Sequence, residues 1–191
     1  MIERLFRRGI LFASTLMIVA CVSQREPFSV PEKVDFQGQT YVKVTVNQLD
    51  EMQHLLYLPE AGEKNTEQWE KGILFFLDKN SKNQTLEQRA AFRQSSFAKQ
   101  KDVVSTFKIE QNELQSSVIY PPTERFHNVM LEVTRGRNLD CGYGQMQFSD
   151  KRSLNKSEIA KKSKNLTAYN GAIAELTLEF NQLAWLVGCR K

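Results

Sequence analysis

Histidine is nearly missing from this chain: His54 and His127 are the only two in 191 residues. Neither has a partner at metal-ligand spacing and no HExxH occurs, so a histidine-built metal centre or a Ser-His relay has little to rest on. Both are read as structural residues of strands. Nine glycines are present, none arranged as GxxxxGK[ST], GxGxxG or GxSxG. A phosphate-cradling loop and a nucleophile elbow are therefore absent, and no nucleotide or other cofactor is expected. Only three cysteines occur, with no CxxC that would suggest a redox pair or a zinc site. No apolar run reaches the roughly 20 residues a membrane-spanning helix takes. The formal net charge is +4, and it shrinks further once the arginine-rich first residues are set aside. That is too weak a surplus to argue for nucleic acid.

The longest apolar stretch is at the start. Arg4, Arg7 and Arg8 form a basic head, Gly9 to Ala20 is almost free of polar side chains, and Ile18-Val19-Ala20-Cys21 closes it. A basic head, an apolar core of roughly 7–15 residues and a small residue before the cut describe an export signal. The four closing residues resemble the lipobox of bacterial lipoproteins. The resemblance covers the leader only. It implies that the Cys21 thiol receives diacylglycerol, that the chain is cut before it, and that the new amine is acylated, typically with palmitate. Two or three acyl chains anchor stably where one is marginal. Val22, rather than aspartate, follows the acceptor cysteine, which in that family implies the outer membrane. The expected layout is a signal peptide over 1–20, a lipidated tether over 21–35 containing Pro27 and Pro31, and one periplasmic domain over 36–191.

With Cys21 spent on lipid, Cys141 and Cys189 remain as an even pair in an oxidising compartment, where disulfides persist. They are expected to be bonded. A loop of roughly 50 residues closed in this way is worth on the order of 4 kcal/mol through chain entropy.

Along the chain, Thr40 to Val46 alternates valines with Tyr41, Lys43 and Thr45, the period of a half-buried strand. His54 to Leu58 is a second strand, and Asp50-Glu51 a turn between them. Asn65 or Thr66 then caps a helix with Trp69, Ile73, Phe76 and Leu77 as its apolar stripe. Thr85-Leu86-Glu87-Gln88 opens a second helix with a capping box, Leu86, Ala90 and Phe97 facing in and Arg89 and Arg93 facing out. The two form a helical hairpin. Period two returns over 103–110, and the chain continues as strands over 114–120, 127–135 and 143–148, joined by turns short enough for an antiparallel meander. Ser149 to Asn165 is polar, with Lys151, Arg152, Lys156, Lys161, Lys162 and Lys164. It reads as a solvated segment, or as a patch for anionic head groups. Leu166, Tyr169, Ile173, Leu176, Phe180, Leu183 and Val187 recur at helical steps, and Gly188 is a stop.

These patterns predict an α+β fold: an antiparallel sheet of four to six strands, with the helical hairpin and a long C-terminal helix packed on one face. The expected function is a non-enzymatic lipoprotein at the periplasmic face of the outer membrane, binding or supporting another envelope component, protein or glycan. The alternatives are an envelope enzyme acting on cell wall or glycan through scattered carboxylates, or an inhibitor of a periplasmic hydrolase. A recognition edge is expected where Arg135, Arg137 and Tyr143 crowd a glycine-rich turn, since arginines there would fork onto a carboxylate or phosphate.

Overall fold

The structure, a computed structural model, describes residues 27–155 and 165–190. The expected leader, the acceptor Cys21 and most of the lysine-rich segment lie outside the described residues.

The chain forms a mostly β protein. Strands β1 (Phe28–Ser29), β2 (Lys33–Phe36), β3 (Gln39–Leu49), β4 (Met52–Pro59) and β5 (Lys71–Asp78) precede helix α1 (Leu86–Ala98). Strands β6 (Val104–Glu110), β7 (Glu113–Tyr120), β8 (Asn128–Leu139) and β9 (Gly142–Ser153) follow it. A 3-10 turn (Leu166–Tyr169), helix α2 (Asn170–Gln182) and β10 (Gly188–Cys189) end the described chain. One eight-stranded sheet, in the order β2-β3-β4-β5-β9-β8-β7-β6, is antiparallel throughout, and β1 pairs with β10 beside it. Two four-strand meanders thus meet back to back at β5 and β9. Their hairpins use backbone that suits tight turns: Gln37-Gly38 and Gln111-Asn112 have positive φ at both positions, as a two-residue hairpin with the right twist demands.

This corrects the α+β expectation. The sheet has eight strands rather than four to six, and among the described residues there is no helical hairpin and α1 and α2 lie on opposite faces. The first error is local. Asn65 does cap, its Oδ1 accepting from the amides of Glu67 and Gln68 at 2.9 and 3.1 Å, but only a turn follows. Ile73-Leu74-Phe75-Phe76-Leu77 is instead β5, sandwiched between β4 and β9. A central strand buried on both faces is a continuous apolar run, and such a run shows no period that separates it from a buried helix. The second error concerns α2. It stops at Gln182, and Leu183 is already extended. Val187 is buried as part of the C-terminal strand approach rather than as a helical residue. The third concerns the expected tether. Phe28 and Val34 are buried in the main core, so the folded part begins well before residue 36.

The face covered by α2 carries that core. Ile173, Leu176 and Phe180 pack on Tyr57, Phe75, Leu131 and Phe148, with Phe36 set edge-on to Phe148 and Phe180 at 4.9 and 5.5 Å. On the opposite face α1 covers only the β6–β7 side, where Leu86 and Ala90 meet Leu114, Phe107 and Tyr143. The capping box of α1 is present in both directions. Arg89 and Arg93, however, point at the sheet rather than outward, because partners wait there: Asp78 for Arg89 and Glu132 for Arg93.

Cys141, in the β8–β9 turn, is joined to Cys189 in β10 across 48 residues. The bond holds the small β1–β10 pair against the large sheet. Alkylation of the denatured, unreduced protein is expected to label neither cysteine; labelling of both at stoichiometric level refutes the bond.

Candidate functional site

Arg135, Arg137 and Tyr143 are not brought together. Successive residues of a strand alternate faces, and Arg135 and Arg137 lie on the α2 face while Tyr143 lies on the α1 face. Arg135 is 6% exposed and Tyr143 2%, so neither presents an edge to a partner. Arg135 donates through Nε and Nη2 to both carboxylate oxygens of Glu113, at 2.7 and 3.0 Å. Its Nη1 donates to the main-chain oxygens of Phe180 and Leu183, where α2 ends. Helix C-terminal carbonyls need donors, and this guanidinium supplies them. Arg137 donates to Glu113 at 2.8 Å and lies over the Trp185 ring at 4.6 Å. Tyr143 has the Arg89 guanidinium stacked on it at 4.0 Å and donates to Gln145. Burial pushes its pKa up to about 12.

His54 and His127 are both exposed, and among the described residues no three His, Cys, Asp or Glu gather as metal ligands. Ser96-Phe97-Ala98-Lys99 has the SxxK spacing of a serine nucleophile with a lysine base. The Ser96 hydroxyl, though, donates to the Phe92 carbonyl one turn back. No described helix is long and apolar enough to cross a membrane.

The site that sequence reasoning missed is on the face α1 leaves open. There the side chains of Gln145, Gln147, Ser149 and Lys151 run in a row along β9, beside Met130, Glu132 and Thr134 of β8. The segment before β5 and the turn after β7 rise on either side and enclose a cavity of about 880 Å³. Glu132, 6% exposed, lies behind the lining residues Tyr120 and Gln147, which it binds. Its Oε1 accepts from Arg93 at 3.3 Å, and its Oε2 accepts from the Tyr120 hydroxyl at 3.2 Å and from Gln147 Nε2 at 3.1 Å. Burial raises the carboxyl pKa, and the Arg93 charge and the Tyr120 hydrogen bond pull it back. Burial likewise drives the Tyr120 phenol up, out of the range where it would ionise. Arg93 also donates to Thr134 and Gln145, and Thr134 shares a hydrogen bond with Ser116. Glu132 thus accepts from three donors just beneath the cavity, which suits a scaffold better than a free general base.

The walls are aromatic. Trp69 lies flat on Gly72, where a Cβ would come within 3.0 Å of the indole, so the glycine lets the ring seat against the sheet. The Lys151 ammonium lies over the indole ring at 3.3 Å, and burial lowers the pKa of that lysine. Opposite, Phe126 stands 55% exposed on a braced turn: its amide donates to Thr123 Oγ1 at 3.0 Å, and its carbonyl accepts from the Thr123 amide at 2.9 Å. One signal for this site was available in the sequence. Glu132 and Thr134 on β8 and Gln145, Gln147 and Ser149 on β9 occupy the alternate positions of strands whose other face is apolar at Val129, Leu131, Val133, Met146 and Phe148.

A relative in Haemophilus influenzae, described as an uncharacterized protein, is 25% identical over 190 residues, covering 93% of this chain and 96% of its own length. No solved structure matches the chain. Residues 28–185 match a family model, a span that takes in the whole open face and its walls, and the chain belongs to that family.

Proposed function

We propose that the mature protein is a non-enzymatic, lipid-anchored binding protein of the cell envelope. Cys21 holds it at the periplasmic face of the outer membrane, and the trough along β9 receives another envelope component. The observation that carries this reading is the half-covered sheet. Its α2 face is closed by a core, while its other face keeps a cavity of about 880 Å³ with aromatic walls and a hydrogen-bonding floor. Pockets of this size that combine apolar walls with a few placed polar groups are where proteins take ligands. Glu132, buried and held by Arg93, Tyr120 and Gln147, favours binding over hydrolysis, which would want two carboxylates free to meet the substrate. The Arg135–Tyr143 turn gives no support to an inhibitor role, since two of its three marked residues are buried.

A photo-reactive phenylalanine at position 126, in the full chain expressed in cells, tests this. Irradiation is expected to give a covalent adduct to an envelope protein or glycan, and the same group at exposed Leu178 on the other face is expected to give none. Adducts to lipid alone, or identical adducts from both positions, overturn the reading. In the same cells Cys21→Ser is expected to abolish palmitate labelling and move the protein off the membrane. A membrane-bound, labelled Cys21→Ser protein refutes the anchor.

A further inference from the structure

We infer that the trough takes a carbohydrate chain, a segment of a few sugar rings, in preference to a peptide or an acyl chain. This rests on the trough being the binding site. The hydrogen-bonding floor points to it first. Gln147 spends Nε2 on Glu132 and on Ser149 Oγ, each at 3.1 Å. Its Oε1 is left to accept from whatever enters. Ser149 is 1% exposed, accepts from Gln147, and has no acceptor for its own proton among the described residues. A buried donor thus stands beside an unused acceptor. A sugar hydroxyl, which donates and accepts at once, matches that pair, whereas an apolar chain would leave both unmet at the cost of their desolvation. Asn128 and Ser153 continue the same mix of amide and hydroxyl along the lining.

The walls point the same way. Phe126 is 55% exposed on a turn held by its bonds to Thr123, with the Arg125 guanidinium over its ring at 5.1 Å, and the C–H face of a sugar ring is the apolar, slightly positive surface that an aromatic face attracts. Other chemistries fit less well. An extended peptide gains its affinity by adding to a free sheet edge, but β5, β9 and β8 are each paired on both sides. A strongly anionic group meets balanced charge, since Glu67 and Glu70 line the cavity along with Arg125 and Lys151. The cavity volume of about 880 Å³ is within the range of small-ligand sites, roughly 300–1,000 Å³, which limits the bound segment to a few rings.

Trp69 lines the cavity, and the other tryptophan, Trp185, lies beneath Arg137 on the opposite face. In the Trp185→Phe background Trp69 is therefore the sole indole reporter. The test titrates the full chain, in a detergent without a sugar head group, with linear hexasaccharides: cellohexaose, hexa-N-acetylchitohexaose and maltohexaose. At least one is expected to change Trp69 emission saturably. Phe126→Ala is expected to weaken that binding roughly three- to tenfold, as loss of one stacked ring does, while Leu178→Ala leaves it unchanged. Because Phe126 is exposed and its turn is held by main-chain and Thr123 bonds, the variant should keep its fold, checked by circular dichroism. No saturable change with any of the three, alongside a protein adduct from position 126 in cells, overturns the carbohydrate assignment and leaves the trough as a binding site. No change and no adduct overturns both. Saturable binding indifferent to Phe126→Ala also overturns the assignment, because the sugar then sits elsewhere.

Discussion

Glu113→Ala is expected to cost about 3–5 kcal/mol of folding stability, the usual penalty for removing one partner of a buried ion pair. Glu113 is 3% exposed and receives four hydrogen bonds, two from Arg135, one from Arg137 and one from Gln115. Without it the Arg135 guanidinium is a buried charge with no counter-ion, and the same guanidinium holds the Phe180 and Leu183 carbonyls. The damage therefore reaches the end of α2 and the core beneath it. Urea unfolding measures the effect, and a loss below about 1 kcal/mol would show the pair to be incidental. The pH dependence follows. Burial by itself would raise the Glu113 pKa, but hydrogen bonds from Arg135 and Arg137, with the Arg135 charge, hold it lowered. A carboxyl lowered on folding contributes its stability in full above its unfolded value of about 4.3 and loses it as pH falls through the folded value. Glu113→Gln is expected to flatten that acid limb. Glu132 acts in the opposite sense, since burial raises it: its contribution is present below the unfolded value and is lost as pH rises through the folded one. An acid limb unchanged in Glu113→Gln would place the titration elsewhere.

Gly142→Ala is expected to be nearly as damaging, about 3–5 kcal/mol from strain and overpacking together. Gly142 has φ +135°, and a Cβ there would sit 2.2 Å from the Asp78 carbonyl oxygen, 2.9 Å from Phe28 Cζ and 3.0 Å from the Lys79 carbonyl carbon. Two of the three obstacles are main chain at the end of β5, so no side-chain rotation relieves them. Phe28 belongs to β1, and Cys141 is next in sequence, so the strain falls where the β1–β10 pair is fastened. Differential scanning calorimetry is expected to show a melting temperature lower by about 10 °C. Gly171→Ala is the control. It stands in α2 with nothing within 4 Å of a Cβ, so alanine should raise stability by up to about 1 kcal/mol through helix propensity. Equal effects at the two glycines would contradict the close packing described at Gly142.

Much of the second meander was legible along the chain. Gln111-Asn112 marks its first hairpin, and Val129, Leu131 and Val133, with Met146 and Phe148 across from them, are all buried on one face. Period two is visible there because one face differs from the other. It fails at β5, where both faces are covered and Ile73 to Leu77 carry no alternation. It misleads at β3, where the bulge between Lys43 and Thr45 shifts the register, so Tyr41 is buried and Val46 is exposed. Arg89 and Arg93 were assigned to solvent on hydropathy alone. Their inward course depends on Asp78, in the preceding strand, and on Glu132, 39 residues beyond Arg93. The trough was illegible for the same reason: its walls come from the segment around Trp69 and the turn holding Phe126, and its floor from β8 and β9.

The order of residues alone determined the strand periods of the second half, the capped start of α1 and the pairing of Cys141 with Cys189. These are local patterns, readable because each depends on neighbours a few positions apart. Only the tertiary structure decided that β5 is a strand at the centre of eight, that Arg135 closes α2 instead of meeting a partner, and that one sheet face keeps a cavity lined by Gln147 and Ser149. Those outcomes are set by which distant groups come to satisfy a buried charge or cover an apolar face. Burial energy and hydrogen-bond demand choose among such arrangements only when the whole chain is packed.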